Sequence, residues 1–194
     1  GDGWIVAVHP TGTPEADAAA AAADTCTTLP AGTVLLPGLV DLHIHAPQWP
    51  QLGTGLDLPL ADWLADYTFP LEARFDDLDF ARTVWSDMVG SLLAHGTTTA
   101  VYFSSRHLDA TTELASICHA AGQRSFVGRV AMDHPEETPA FYRDASAQEA
   151  TDLSARSIDE IRTIDPDGRL VRPIITPRFI PACSDALLEG LGEL

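Results

Sequence analysis

Two hydrophobic patterns alternate along most of the chain. From Val34 onward, short apolar runs typical of buried strands are followed by stretches whose apolar residues recur every three or four positions, as on one face of a helix. The clearest helical stretch carries apolar residues at Phe80, Val84, Met88, Leu92 and Leu93. Asp76 or Asp77 can cap this helix, and Gly96 lies just past its end.

The alternation of strand and helix repeats four times. The predicted strands cover residues 34–36, continuing after a Pro-Gly turn as residues 39–45, and then residues 97–103, 124–132 and 170–176. Besides the helix that ends before Gly96, helices are predicted at about residues 110–121 and 147–164, and Ser184 caps a last helix that runs to Leu194. This order is typical of an α/β fold with a parallel sheet. Four such units fit either a small open sheet or half of an eight-stranded barrel, which takes about 250 residues when complete.

The N-terminal part of the chain follows a different pattern. The first eight residues end in the apolar run Trp4-Ile5-Val6-Ala7-Val8 and predict a strand, followed by a low-complexity Ala/Thr/Pro stretch to about Gly32. Because a strand cannot stand alone, we interpret it as one strand of a separate small β domain. We therefore predict two parts, with residues 1–33 as a remnant of that domain plus a linker and residues 34–194 as the repeating βα region.

The charge of the chain excludes several functions. Its 194 residues carry 28 acidic and 11 basic side chains, for a formal net charge of −17, and every basic residue is arginine. An acidic surface repels phosphate backbones and anionic lipids, so we expect no nucleic-acid or membrane partner. Without lysine, the chain cannot perform Schiff-base chemistry, form a P-loop or bridge two metal ions with a carboxylated lysine.

The cysteines and the apolar segments indicate a compartment. Cys26, Cys118 and Cys183 are odd in number and far apart, which argues against a disulfide framework and favours a reducing environment. The alanine run at residues 18–23 is too short for a signal or a membrane span. We therefore expect a cytoplasmic protein.

The sequence His43-x-His45 is the sharpest local feature. In a strand, alternate side chains face the same way, so Asp41, His43 and His45 are expected on one face with both imidazoles within reach of one metal ion. Asp41 could then orient an imidazole, or it could have a purely structural role at the strand turn. The pair also stands where a parallel strand passes into a Gly/Pro-rich loop, and ligands of α/β folds bind at such carboxyl ends.

Residues 37–45 (PGLVDLHIH) resemble the opening strand of the amidohydrolase superfamily, whose members use this H-x-H as their first two metal ligands. Further segments resemble its guanine deaminase branch, and the likeness extends from about Leu36 to Leu194. These segments are residues 46–48 (APQ), 55–60 (GLDLPL), 63–64 (WL), 67–70 (YTFP), 96–100 (GTTTA), 102–103 (YF), 122–124 (GQR), 126–128 (FVG) and 176–179 (TPRF).

The resemblance implies a fold and a role for each matching residue. Residues 34–194 would form the first half of a (β/α)8 barrel, with His43 and His45 as Zn²⁺ ligands and Gln48, Arg178 and Phe179 lining the pocket for guanine. The chemistry agrees, since an amide suits a purine edge and a guanidinium fork matches the O6 and N7 acceptors of guanine. Phe179 could stack on the base or close the pocket wall.

The resemblance also implies what this chain lacks. The remaining ligands of the family, two histidines and an aspartate, and its proton-shuttling glutamate lie on later strands, so we name no general base here. A half barrel would expose two sheet edges, which predicts a homodimer or assembly with a chain carrying the rest of the barrel.

Three functional interpretations remain open at this stage. The chain is part of a zinc-dependent deaminase that converts guanine to xanthine and ammonia, with little activity alone. Alternatively, it deaminates or dechlorinates another amino-substituted heterocycle. It could also be a catalytically silent half barrel or a metal-binding module.

Overall fold

A computed structural model describes residues 4–194, which divide into two compact units between Pro37 and Gly38. Among residues 4–37, the regular structure is helix α1 (Pro14–Ala22), which Thr13 caps by accepting the Ala16 N–H. The prediction of a strand near the N-terminus is wrong for residues 4–8, which have no regular secondary structure. Residues 1–3 of the predicted strand lie outside the described residues. Residues with high β propensity form a strand only where a neighbour completes the hydrogen-bond ladder, and no described strand pairs with this segment.

The second unit contains a parallel sheet. The strands of residues 38–194 are β1 (Leu39–His45), β2 (Thr97–Phe103), β3 (Arg124–Gly128), β4 (Val130–Ala131), β5 (Val171–Pro173) and β6 (Thr176–Pro177). In the sheet, β1, β2, β3 and β5 are neighbours in that order, and β4 pairs with β6 in a second parallel ladder. The predicted α/β fold with a parallel sheet is therefore confirmed, and consecutive strands lie side by side as in a barrel.

Two of the predicted strands divide in the structure, and residues 34–36, like residues 4–8, do not form the predicted strand. Residues 124–132 separate into β3 and β4, and residues 170–176 into β5 and β6. Both breaks lie where the backbone at Gly128 comes very close to residues 174–176. A Cβ at Gly128 would overlap the Thr176 hydroxyl and lie 2.5 Å from the Ile174 carbonyl oxygen. The predicted strand at residues 34–36 is absent from the described chain, where the first ladder bond joins the Leu39 N–H to the Gly96 carbonyl over 2.8 Å.

Helices follow the strands and cover one face of the sheet. Those of residues 38–194 are α2 (Leu60–Trp63), α3 (Phe69–Ala73), α4 (Leu78–Ala94), α5 (Leu108–Ala121), α6 (Ala147–Ile164) and α7 (Asp185–Gly192), with a π-helical turn (Leu64–Thr68) between α2 and α3. As predicted, Asp77 caps α4 by accepting the N–H groups of residues 79 and 80, and Gly122 ends α5 with a φ of 74°. Ser184 caps α7. α5 begins two residues before the prediction, and α7 ends at Gly192.

The main core lies between the sheet and helices α4 and α5. Trp85 and Met88 from α4 meet Leu114 from α5 and Tyr102 from β2, all of them fully buried. The Trp85 ring stacks on Phe75 with centroids 4.4 Å apart, and its indole N–H donates to the Ala110 carbonyl over 3.0 Å. This packing orients β1 and β2, whose carboxyl ends carry the predicted site.

A buried ion pair anchors the loop that leads into α6. Arg129 and Asp144, both with fully buried side chains, are joined through Nη2 and Oδ1. Oδ2 of Asp144 also accepts the backbone N–H of Met132 over 3.1 Å. The loop that carries Tyr142 is thereby tied to the end of β4.

β1 forms an open edge of the sheet. It pairs with β2 and with no other described strand, and Leu39, Val40 and Leu42 are exposed. An unpaired strand edge with apolar side chains is what a partial barrel presents. Among the helices of residues 4–194, none combines the length and hydrophobicity that crossing a bilayer requires.

Candidate functional site

The two histidines of the H-x-H motif lie together at the carboxyl end of β1. Their ring centroids are 5.0 Å apart, and the Phe103 ring from β2 lies 4.5 Å from His43 and 4.7 Å from His45. This arrangement follows from strand alternation, together with the register that pairs His45 with Phe103. Oδ1 of Asp41 accepts the backbone N–H of His43 over 3.0 Å. This hydrogen bond is a local contact within β1 and does not involve an imidazole.

His45 is in the protonation state that a metal ligand needs. Burial, followed by the positive charge of Arg178, lowers the pKa of His45 to about 4, so the ring is neutral near pH 7. Its Nδ1 is buried and makes no hydrogen bond within residues 4–194. A neutral imidazole with an unpaired nitrogen is a suitable ligand for a divalent cation, so this residue fits the predicted zinc.

The described residues supply only part of a metal centre. Among residues 4–194, no group of three or more His, Cys, Asp or Glu side chains is arranged to hold one metal ion. A catalytic zinc site uses three protein ligands and an open position. His43 and His45 therefore fit two of the positions of such a centre.

Gln48 and Arg178 meet at one carboxylate. Gln48 lies in the 3₁₀ turn Ala46–Gln51 that follows β1, and Arg178 follows β6 directly. Both side chains bind Glu72 of α3: Gln48 Nε2 donates to Oε1 over 3.1 Å, and Arg178 donates from Nη2 to Oε1 over 3.0 Å and from Nη1 to Oε2. The structure thus brings together two predicted substrate-binding residues through a third residue that the sequence analysis did not name.

This carboxylate and guanidinium form a buried ion pair. The side chain of Glu72 is 0% exposed and that of Arg178 is 2% exposed. Although burial disfavours the charged guanidinium, the Glu72 carboxylate raises the pKa of Arg178 above its ordinary value. The Phe69 ring lies 5.0 Å from Cζ of Arg178, and behind it packs Tyr142, with ring centroids 6.3 Å apart.

The contacts of Arg178 change one detail of the sequence analysis. Its two Nη groups, which were expected to face O6 and N7 of guanine, each donate one hydrogen to Glu72. A guanidinium has five N–H donors, so three remain for other partners. The donors not used by Glu72 are Nε–H and one N–H on each Nη atom.

Phe179 lies beside Arg178 at the same strand end. Its backbone is extended, it precedes the 3₁₀ turn Ile180–Ala182, and the residue is 40% exposed. Its ring is therefore accessible to a ligand. Its role in lining the pocket stays a prediction.

Glu72 is a site residue that was not predicted, although its sequence neighbourhood carries a signal. Glu72 lies two residues after the resembling segment 67–70, and apolar residues flank it on both sides, Leu71 and Ala73. A charged residue at a core position is rarely buried without a partner. Its partners, however, lie 24 and 106 residues away in the sequence, so nothing local identifies them.

Comparisons with known proteins agree with this geometry. A sequence model of the Amidohydrolase family matches residues 34–194. The chain is 44% identical over 160 residues to the guanine deaminase of Dictyostelium discoideum, covering 82% of this chain and 34% of the relative. The chain therefore spans about a third of the length of the curated relatives it matches.

Solved structures show the same fold. The crystal structure of guanine deaminase from C. acetobutylicum with guanine in its active site has a TM-score of 0.73 and 37% identity, over 81% of this chain and 36% of that one. An adenosine deaminase from Xanthomonas campestris with bound zinc gives a TM-score of 0.56 and 26% identity, over 73% of this chain and 29% of that one. The parallel sheet described above is thus similar to a segment of the guanine deaminase barrel.

Proposed function

We propose, from the premise that the chain belongs to the amidohydrolase family, that it carries the first part of a guanine deaminase site. The full site would convert guanine and water to xanthine and ammonia, as a step of purine breakdown. The observation that carries this proposal is that a candidate metal ligand at the end of β1 and a candidate base-binding arginine just after β6 are linked through one carboxylate. The buried Nδ1 of His45 makes no hydrogen bond within residues 4–194. Gln48, in the turn that follows His45, binds the same Glu72 oxygen that accepts from Nη2 of Arg178.

Each residue has a distinct task in this proposal. His43 and His45 would hold Zn²⁺, which when bound lowers the pKa of a coordinated water to about 7 and so supplies hydroxide for attack on the amino-bearing carbon. Gln48 and Arg178 would bind and orient the purine, with Arg178 donating to its acceptors. Phe179 would cover the base and exclude water. No residue of this chain is assigned as the general acid or base.

We propose that the 194-residue chain alone has little or no activity. Two imidazoles do not complete a catalytic zinc site, and the chain spans about a third of the guanine deaminases it resembles. The exposed edge of β1 gives a place where further strands could pair. Activity would therefore require assembly with a polypeptide that carries the remaining strands, and a homodimer is a second way to cover this edge.

A related heterocycle is the competing substrate. Gln48 and Arg178 together present an amide and a cation, which suit the mixed donors and acceptors of guanine better than the edge of adenine, whose N1 is an acceptor. The likeness to guanine deaminase also exceeds that to adenosine deaminase, with TM-scores of 0.73 and 0.56. A silent half barrel would bind neither base.

The compartment and partners are part of the same proposal. Cys118 and Cys183 are buried free thiols and Cys26 is exposed, which suits a reducing cytoplasm. The net charge of −17 favours a small purine over a nucleic acid or an anionic membrane as the ligand.

Binding measurements on the chain test the substrate. Equilibrium dialysis with radiolabelled guanine and adenine, with Zn²⁺ present, should show saturable binding of guanine and weaker binding of adenine. Arg178→Met should abolish the preference, whereas Arg172→Met, which removes the exposed arginine in the middle of β5, should not change it. Equal binding of both bases by the unmutated chain would contradict the assignment of guanine.

A further inference from the structure

We infer that Glu72 is a positioning residue that holds Gln48 and Arg178 in the orientation needed to recognise guanine. This inference rests on the proposed function, because it concerns the same pocket. Glu72 itself is fully buried, and its two oxygens accept three hydrogen bonds from these two side chains. It therefore acts on the substrate through its partners rather than by contact.

The ion pair determines the plane of the Arg178 guanidinium. Both Nη atoms donate to the two carboxylate oxygens of Glu72, which is the paired geometry that fixes a guanidinium most strongly. The Phe69 ring, 5.0 Å from Cζ, supports one face. With two of its five N–H groups used in this way, Arg178 keeps three donors whose directions are set by Glu72.

The same carboxylate determines which way the Gln48 amide is turned. An ionised carboxylate only accepts hydrogen bonds, so the amide must direct its NH₂ group, not its oxygen, toward Glu72. Oε1 of Gln48 is then left to accept an N–H from a ligand. Guanine carries such a donor at N1 beside the amino-bearing carbon, so the orientation of this amide bears directly on substrate choice.

A purely structural role does not account for this arrangement. A buried ion pair contributes little stability compared with apolar residues of similar size, because both charges lose their hydration. Here, moreover, the carboxylate joins residues from three separate segments, the turn after β1, helix α3 and the residue after β6. Apolar packing could hold these segments together, but it could not set the directions of the N–H and C=O groups.

Three variants of the full 194-residue chain test this role. Glu72→Gln keeps the shape and removes the charge, and Glu72→Asp keeps the charge on a shorter side chain. Thr68→Val is the matched control, since it deletes the nearby buried hydrogen bond between the Thr68 hydroxyl and Gln51, 2.8 Å long, without touching Glu72. Circular dichroism establishes that each variant is folded.

The first readout is the ¹H–¹⁵N spectrum of the Arg178 guanidinium, assigned by its loss in Arg178→Lys. We expect separate, slowly exchanging Nη signals in the unmutated chain, in Thr68→Val and in Glu72→Asp, and averaged signals in Glu72→Gln. Unchanged signals in Glu72→Gln would overturn the inference. If Glu72→Gln does not fold, the test is made with Glu72→Asp. Separate Nη signals whose chemical shifts differ from those of the unmutated chain would support the role, and identical chemical shifts would overturn it.

The second readout is guanine binding by equilibrium dialysis. We expect Glu72→Gln to weaken binding about tenfold or more, Glu72→Asp to weaken it less, and Thr68→Val to leave it within about twofold. Binding by Glu72→Gln equal to that of the unmutated chain would overturn the inference. Absence of guanine binding in the unmutated chain would contradict the proposed function, whereas the Arg178 signals would still support or overturn the positioning role.

Discussion

Removing the buried carboxylate of Asp144 should destabilise the fold severely. In Asp144→Ala, Arg129 would keep a fully buried guanidinium without its partner, and the Met132 N–H would lose its acceptor. Breaking a buried ion pair from one side costs about 3–5 kcal/mol. Since small domains are stable by about 5–15 kcal/mol, the variant would lose a large part of its free energy of unfolding.

A double variant separates the charge effect from packing. In Asp144→Leu with Arg129→Met, both fully buried charges of the pair are removed together, so we expect most of the loss to be recovered. What remains is about 1–3 kcal/mol for the unpaired Met132 N–H, and a contribution from Arg106, whose partly exposed guanidinium lies 3.8 Å from Oδ1 of Asp144 and also loses this partner. The assay is urea unfolding, followed by circular dichroism and by the fluorescence of the buried Trp85. Asp79→Asn, at an exposed ion pair of α4, should leave the midpoint nearly unchanged.

Two outcomes would refute this reasoning. A loss below about 1 kcal/mol in Asp144→Ala would mean that the Arg129 guanidinium finds water or another partner. A double variant as unstable as the single variant would show that the loss comes from shape, not from an unpaired charge.

Three further predictions concern other parts of the molecule. Burial outweighs the Asp76 carboxylate 3.2 Å from Nδ1 and lowers the pKa of His107 to about 4, from an unfolded value near 6.5. Its neutral form therefore stabilises the fold above pH 6.5, and on the order of 1–3 kcal/mol should be lost as the pH falls toward 4, with a flatter pH profile of Tm in His107→Gln. Gly128→Ala would clash with Thr176 and should lower the free energy of urea unfolding by about 1–3 kcal/mol or more. His45→Ala should weaken Zn²⁺ binding to background in competition with a chromogenic chelator.

Each of these predictions has a matched control. His95→Gln, at an exposed histidine, should keep the pH profile of Tm. Gly90→Ala, at a helical glycine with no atom within 4 Å of the added Cβ, should leave stability equal or raised by about 0.5–1 kcal/mol. His119→Ala should retain zinc binding. A pH profile of Tm that stays steep in His107→Gln would contradict the role of His107 burial. An undiminished stability of Gly128→Ala would contradict the close approach to Thr176. Zinc binding by His45→Ala would contradict the role of His45 as a ligand.

Local signals were sufficient for most of the helices. The cap at Asp77, the helical spacing of α4 and the glycine at position 122 all act within a few residues, so the sequence predicts α4 and the end of α5 correctly. Strand β2 was also predicted with its observed ends. In these segments, intrinsic propensity and burial favour the same structure.

Long-range contacts explain what the sequence could not predict. Residues 4–8 have strand composition, yet a strand depends on a partner that composition does not supply. The breaks near Gly128 arise from its contact with Thr176, which lies on another strand. Glu72 escaped notice for the same reason, since its role depends on Gln48 and Arg178 rather than on its sequence neighbours.

Release of ammonia from guanine tests the central claim most directly. The chain is assayed with Zn²⁺, alone and mixed with the segment of Dictyostelium discoideum guanine deaminase that lies beyond the matched region, after gel filtration has shown that the two assemble. We predict stoichiometric xanthine and ammonia from the assembly and little or none from the chain alone. Sustained turnover by the chain alone, or an assembly that releases ammonia from adenine and not from guanine, would contradict the account.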